Sequence, residues 1–222
     1  MTASPTFDDT LDPDRIDPGR IDRSAPAPWR PRITHRRPAV DPDAAEAAAA
    51  DLLVALGLDL DDAHLTDTPR RMAQALIELT TAPEFDLTTF PNDEGYDELV
   101  LVQDIPVRSL CEHHMLPFTG VAHVGYLPGE RILGLSKLAR MVEFHARRPQ
   151  TQERLTSTVA GHLERLVAPY GVGVVIEAEH TCMSVRGARA IGARTVTSTL
   201  LGRLRDDPRS RAELLALTRR SA

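Results

Sequence analysis

GLSKLARMVEFHARRPQTQERLTSTVAGHLERLVAPYGVGVVIEAEH, residues 134–180, decides the fold. Leu138, Met141, Val142 and His145 recur at i, i+3, i+4 and i+7, the period of one helix face. Ser136 stands where a capping hydroxyl opens such a helix, which runs to Arg147. Leu155, Val159, Leu163 and Leu166 mark the inward side of a second helix over 151–168. From Gly171 to His180 the chain turns to small and β-branched residues and reads as a strand. Gly171 and Gly173 begin that strand rather than a strand-to-helix turn, so they carry no dinucleotide fingerprint.

Upstream, LVLVQ (99–103) reads as a short buried strand, and 106–111 extends it or starts another. TGVAHVGYLP (119–128) is a further strand closed by its proline. Downstream, a strand is expected around Arg194–Leu201, and Asp207-Pro208 starts a last helix through Leu217. The order is strands, two helices, strands, helix. That is an α+β domain over 98–222 with a mostly antiparallel sheet.

Before it, residues 43–97 form a helical segment. AAEAAAADLLVAL is rich in helix formers and stops at Gly57. Thr68 is expected to cap a second helix with Pro69 in its first turn. Residues 1–42 hold eight of the seventeen prolines and show no apolar period, so they read as a disordered tail.

Composition narrows the function classes. The 222 residues are 42% hydrophobic and 26% charged, as expected of a soluble globular chain. No apolar run approaches the roughly 20 residues of a membrane span, and the N-terminus lacks the apolar core of a secretory signal. Two cysteines make no disulfide framework, and a cytoplasmic location is expected. Aromatics are only 4% and form no basic-aromatic stripe, which argues against nucleic acid. Charge is blocked: 43–98 carries fourteen acids against Arg70 and Arg71, whereas 99–222 carries seventeen bases against eleven acids. The basic half suits an anionic ligand. Lys137 is the single lysine beside twenty-five arginines.

The densest chemistry lies in Ser109-Leu-Cys-Glu-His-His-Met-Leu-Pro-Phe118. Cys111 and His114 have the spacing of two metal ligands on one turn, and Cys182 follows His180 by two residues. Two cysteines and one histidine make a zinc set of the catalytic type, with one position open for water. His113 or His180 could instead complete a closed, structural set. If the site is open, those two imidazoles are left to donate and accept protons. Lys137 and Arg140 share a face near a helix N-terminus, an end that favours anions, and Arg186 could bring a third cation. Gln152-Glu153 opens the next helix; its carboxylate either compensates the dipole or accepts paired N–H bonds from a guanine edge.

Cys111-Glu-His-His114, Gly134-Leu-Ser-Lys-Leu-Ala-Arg140, Arg147-Arg-Pro-Gln-Thr-Gln-Glu-Arg-Leu-Thr156 and His180-Thr-Cys-Met-Ser-Val-Arg-Gly187 occur in one order. Together they closely resemble the GTP cyclohydrolase I family, from about Thr68-Pro69 to Arg211-Ala-Glu-Leu-Leu215. The resemblance implies the tunnelling fold and an enzyme that converts GTP and water to formate and 7,8-dihydroneopterin triphosphate, the entry to folate and pterins. It implies one zinc ion (Zn2+) per subunit on Cys111, His114 and Cys182, with His113 and His180 moving protons. It places Gln152 and Glu153 on the guanine, Ser136 on the ribose, and Lys137, Arg140, Arg186 and Arg71 on the triphosphate. It also implies a homo-oligomer, a decamer of two pentamers with active sites between subunits. Thr151 stands where the family commonly has valine, and Val185 and Ala188 replace other residues around Arg186-Gly187. Retention of Cys111, His114 and Cys182 together argues against a deazaguanine reductase of the same fold.

Overall fold

A computed structural model describes residues 32–33 and 39–218. In chain order it forms β1 (Arg32–Ile33), α1 (Pro42–Ala55), α2 (Thr68–Thr80), β2 (Phe85–Asp86), β3 (Thr89–Pro91), β4 (Val100–Cys111), β5 (Pro117–Leu127) and β6 (Arg131–Leu133). Then come α3 (Ser136–Ala146), β7 (Pro149–Gln150), α4 (Gln152–Val167), β8 (Gly171–His180), α5 (Thr181–Ser184), β9 (Thr195–Gly202), α6 (Arg203–Asp206) and α7 (Pro208–Leu217).

The main sheet has the order β7-β4-β5-β8-β9. Its long pairings are antiparallel, and only the two-residue contact of β7 with β4 is parallel. The stretches at 99–103 and 106–111 belong to one strand, with a register shift between Val102 and Ile105. Asp104 takes the extra step there at φ +54°. Such a bulge bends a strand without ending it.

The expected helix faces are the buried ones. Leu138, Met141, Val142 and His145 of α3 are fully covered, as are Leu155, Val159 and Leu163 of α4. The apolar ones join Ile105, Val107, Phe118, Ala122, Val124 and Ile176 of the sheet in one core. Each large apolar side chain buried this way contributes about 1.5–3 kcal/mol. A smaller cluster of Leu127, Leu204 and Leu214 lies beneath α6 and α7. Gly125 and Gly173 face each other across β5 and β8. A Cβ on Gly173 would meet Leu214 Cδ2 at 2.2 Å, so that glycine makes room for α7. At Gly120 a Cβ would lie 1.9 Å from the Glu177 carbonyl oxygen. Only glycine lets β5 and β8 close at that point.

Two caps differ from expectation. Thr68 and Ser136 are the first residues inside their helices, and Asp67 and Leu135 hold the cap positions without a side-chain cap bond. The Asp67 carboxylate is used instead by Arg70 at 3.3 Å and Arg71 at 3.0 Å. Thr151 does cap α4, accepting from Arg154 N at 3.2 Å. Asp207 caps α7 by accepting from the backbone N–H groups of Arg209 and Ser210. The Ser210 hydroxyl, and after it these two backbone bonds, hold the Asp207 carboxyl below its usual range.

Most of the expected 1–42 tail lies outside the described residues, as do 219–222. Within it, β1 pairs with β2, and Ile33 is 1% exposed in the main core. Pro42 already belongs to α1, which Asp41 caps through Ala44 N. Among the described residues no helix is long and apolar enough to cross a membrane.

Candidate metal centre

The order β4-β5-β8 brings two loops to one end of the sheet. Cys111 ends β4, and the turn that follows is closed by Cys111 N donating to the Leu116 carbonyl and Met115 N donating to the Cys111 carbonyl, both at 2.8 Å. Met115 takes a left-handed conformation at φ +53° to complete it. On the far side of β5, β8 ends at His180 and passes into α5. Thr181 Oγ1 donates to the Pro117 carbonyl at 2.6 Å and fixes α5 against the start of β5.

The result is a compact donor group. The ligand atoms of Cys111, His114 and Cys182 all lie within 4.8 Å of one another, the one such group of three found among the described residues. Zinc–sulfur and zinc–nitrogen bonds of about 2.3 and 2.0 Å put tetrahedral ligand atoms roughly 3.5–3.8 Å apart. Cys111 Sγ and His114 Nδ1 are 3.7 Å apart, which fits. Two sulfurs and an imidazole are also a donor chemistry that suits zinc. His113 Nδ1 is 3.8 Å from Cys111 Sγ, yet His113 is not in the mutually close group and its side chain is 65% exposed. Burial and the adjacent Cys111 push the Cys182 thiol up, and Arg186 pulls it down.

His180 borders this group in a fixed pose. Its ring stacks on that of Phe118, with centroids 4.6 Å apart and planes 10° from parallel. Its Nε2 is 2.8 Å from Gln152 Oε1. Burial pushes the pKa of His180 down, and the charge of Glu153 opposes this. Glu153 is exposed in the first turn of α4. Its neighbour Gln152 is buried, and its amide is occupied within the chain. Of the pair read from sequence as guanine contacts, Glu153 alone presents its side chain outward.

The structure thus gathers Cys111, His114 and Cys182, with His113, His180, Gln152, Glu153 and Arg186 around them. Ser136 and Arg140 are exposed and Lys137 half-buried at the start of α3. Arg71 is exposed on α2 and bound to Asp67. Sequence reading missed the ties beneath the site. Arg154 Nη1 donates to Glu112 Oε2 at 2.6 Å, joining the Cys111–Leu116 turn to α4. Glu112 N donates to the Gln150 carbonyl at 3.3 Å, and Gln150 Nε2 donates to Ser109 Oγ at 3.2 Å and the His145 carbonyl at 2.6 Å. Glu112 and Arg154 each lie inside a quoted motif, but nothing in either motif pairs them.

The sequence profile described as GTP cyclohydrolase I matches residues 45–219. A GTP cyclohydrolase 1 of Streptomyces griseus is 52% identical over 185 residues, covering 81% of this chain and 91% of the relative. One from Mycolicibacterium vanbaalenii is 54% identical over 179 residues, covering 78% and 88%. One from Thermoanaerobacter pseudethanolicus is 50% identical over 183 residues, covering 80% and 97%. A solved archaeosine synthase QueF-Like is a remote likeness at 20% identity and a TM-score of 0.38, covering 47% of this chain and 93% of that one. Identity at half the aligned positions, along nearly the whole of each curated relative, leaves one conclusion: the chain belongs to the GTP cyclohydrolase I family, whose architecture is the tunnelling fold.

Proposed function

We propose that this chain carries out its family's reaction at the Cys111–His114–Cys182 centre, converting GTP and water to formate and 7,8-dihydroneopterin triphosphate at the head of folate and pterin synthesis. The observation that carries the reading is the closed group of three ligand atoms with two further histidines beside it. Cys111, His114 and Cys182 hold one zinc ion per subunit. When bound, zinc supplies Lewis acidity and brings water near its deprotonation range at neutral pH.

The other steps belong to side chains. His113, exposed next to a ligand, and His180, stacked on Phe118, carry protons as C8 is attacked and the bond to N7 opens. Glu153 accepts from the N–H groups of the guanine edge, with Gln152 behind it in the same helical turn. Ser136 contacts the ribose during its rearrangement. Lys137 and Arg140 at the N-terminus of α3, together with Arg186, hold the triphosphate where charge and free N–H groups add. Arg71, already bound to Asp67, is the outermost of these cations.

Residues 98–222 are the catalytic domain, 43–97 a helical lead, and 1–42 a tail joined to the core at β1. The chain works as a cytoplasmic homo-oligomer, a decamer of two pentamers with sites between subunits. The exposure of Val185 and Ile191 beside the site, at 69% and 86%, supports a neighbour there. The test is incubation of zinc-loaded protein with GTP, following formate and the absorbance of the pterin. Both products are expected. A zinc-replete oligomer that releases neither would end this reading, and formate alone would place the block after ring opening.

A further inference from the structure

The direction of the Gln152 amide is fixed by what surrounds it. Its Nε2 lies 3.0 Å from the Ile176 carbonyl, 3.0 Å from the Thr195 carbonyl and 3.1 Å from Thr197 Oγ1. Carbonyl oxygens only accept, so two of the three contacts require the amide nitrogen at this end. The third is fixed by its neighbours. Thr156 Oγ1 donates its one proton to the Gln152 backbone carbonyl at 2.7 Å. In the 2.6 Å contact between Thr156 and Thr197, the Thr197 hydroxyl is therefore the donor, and its oxygen is left to accept from Gln152. The threonines each place their one proton, and the two amide protons of Gln152 are shared among its three acceptors.

The amide cannot be turned over without setting its oxygen against two carbonyls. Its Oε1 therefore faces His180 Nε2 at 2.8 Å, and a carboxamide oxygen only accepts. The histidine must donate. We infer that Gln152 is a positioning residue for His180: it holds the proton of the neutral ring on Nε2 and leaves Nδ1 as the bare nitrogen offered to the reaction. This deepens the reading of His180 as a proton carrier and rests on it.

Two further observations belong with this one. The Phe118 stack fixes the plane of the His180 ring, while Gln152 fixes the direction of its N–H bond. Together they leave one orientation and one tautomer, the usual means of defining which histidine nitrogen acts. Gln152 is also only 1% exposed, and its contacts on β9 lie 43 and 45 residues away in sequence. The pose of His180 is thus tied through the helix start to the last strand of the sheet. A guanine-reading side chain would keep its amide open to a ligand, and this one is closed on all sides by its own chain.

The test is the nitrogen spectrum of the zinc-loaded full chain labelled with 15N-histidine, at mildly alkaline pH. The His180 signals are identified as those lost in His180→Asn. A protonated, pyrrole-type Nε2 with a bare Nδ1 is expected; the reverse tautomer overturns the inference. The spectrum is read without turnover, so it decides the tautomer separately from whether the chain consumes GTP. Kinetics give the second arm. Gln152→Leu should lower kcat about 10–100-fold, the usual scale for losing a histidine's orienting partner, with KM for GTP within about twofold. A variant with normal kcat and a raised KM would make Gln152 a nucleotide contact instead. Should Gln152→Leu fail to fold, the wild-type spectrum still decides.

Discussion

Cys111, His114 and Cys182 come together within one chain, whereas Lys137, Arg140 and Arg186 stand partly or fully exposed on α3 and beyond α5. The first group is fixed from below. A tight turn, the Thr181 bond to Pro117 and the Glu112–Arg154 pair leave its donors little freedom. The cations have no such frame, and among the described residues none of the three forms an ion pair. On the proposed function, the difference follows from what each would bind. A small ion needs donors set to within a few tenths of an ångström. A flexible polyanion is held by charge and reach, and long side chains can close on it once it arrives.

On that contrast, loss of one metal donor should be the most severe change. Cys182→Ser should remove stoichiometric zinc and lower formate release by about a thousandfold or more, because several kcal/mol of transition-state stabilisation depend on the metal. Metal analysis beside a formate assay reads both. Normal activity in a zinc-free variant would break the comparison at its stronger end. The cation group should behave otherwise. Lys137→Ala combined with Arg140→Ala should leave zinc content unchanged and raise KM for GTP by about 10–100-fold, the scale of one or two charge-assisted hydrogen bonds. A fall in zinc content would mean the two groups share a frame after all.

The mildest change sharpens the boundary between them. Thr151 caps α4 just before Gln152 and Glu153. Thr151→Val should cost about 1 kcal/mol of stability by removing the cap. Thermal unfolding checks it. Unchanged stability would show that the N-terminus of α4 is held by tertiary contacts alone.

Contiguous features were the legible ones. The α3 and α4 faces, β8, and the Cys111/His114 pair could be read because a period or spacing is written within a few residues. Cys182 became readable only as the other cysteine. Ser136 misled because a serine before an apolar period looks like a cap, while the chain enters α3 through Leu135 in helical conformation. Ile33 was invisible in a proline-rich stretch because its burial depends on β2, some fifty residues on. Gln152 is the instructive case. The motif named it as part of the site, but its role depends on Ile176, Thr195 and Thr197, which no local pattern joins to it.

The strand order also bears on how the chain reaches this state. β4 and β5 form a hairpin, and such local pairings close within microseconds. Cys111 and His114 both lie at its turn. Cys182 lies beyond α3 and α4 in the chain and meets those two residues only through the pairing of β8 with β5. An ion held by all three donors would bridge that hairpin and the β5–β8 seam. Holding the folded chain more tightly than the open one, it would stabilise by mass action. The supply of metal around the protein would then bear on how firmly that seam stays shut.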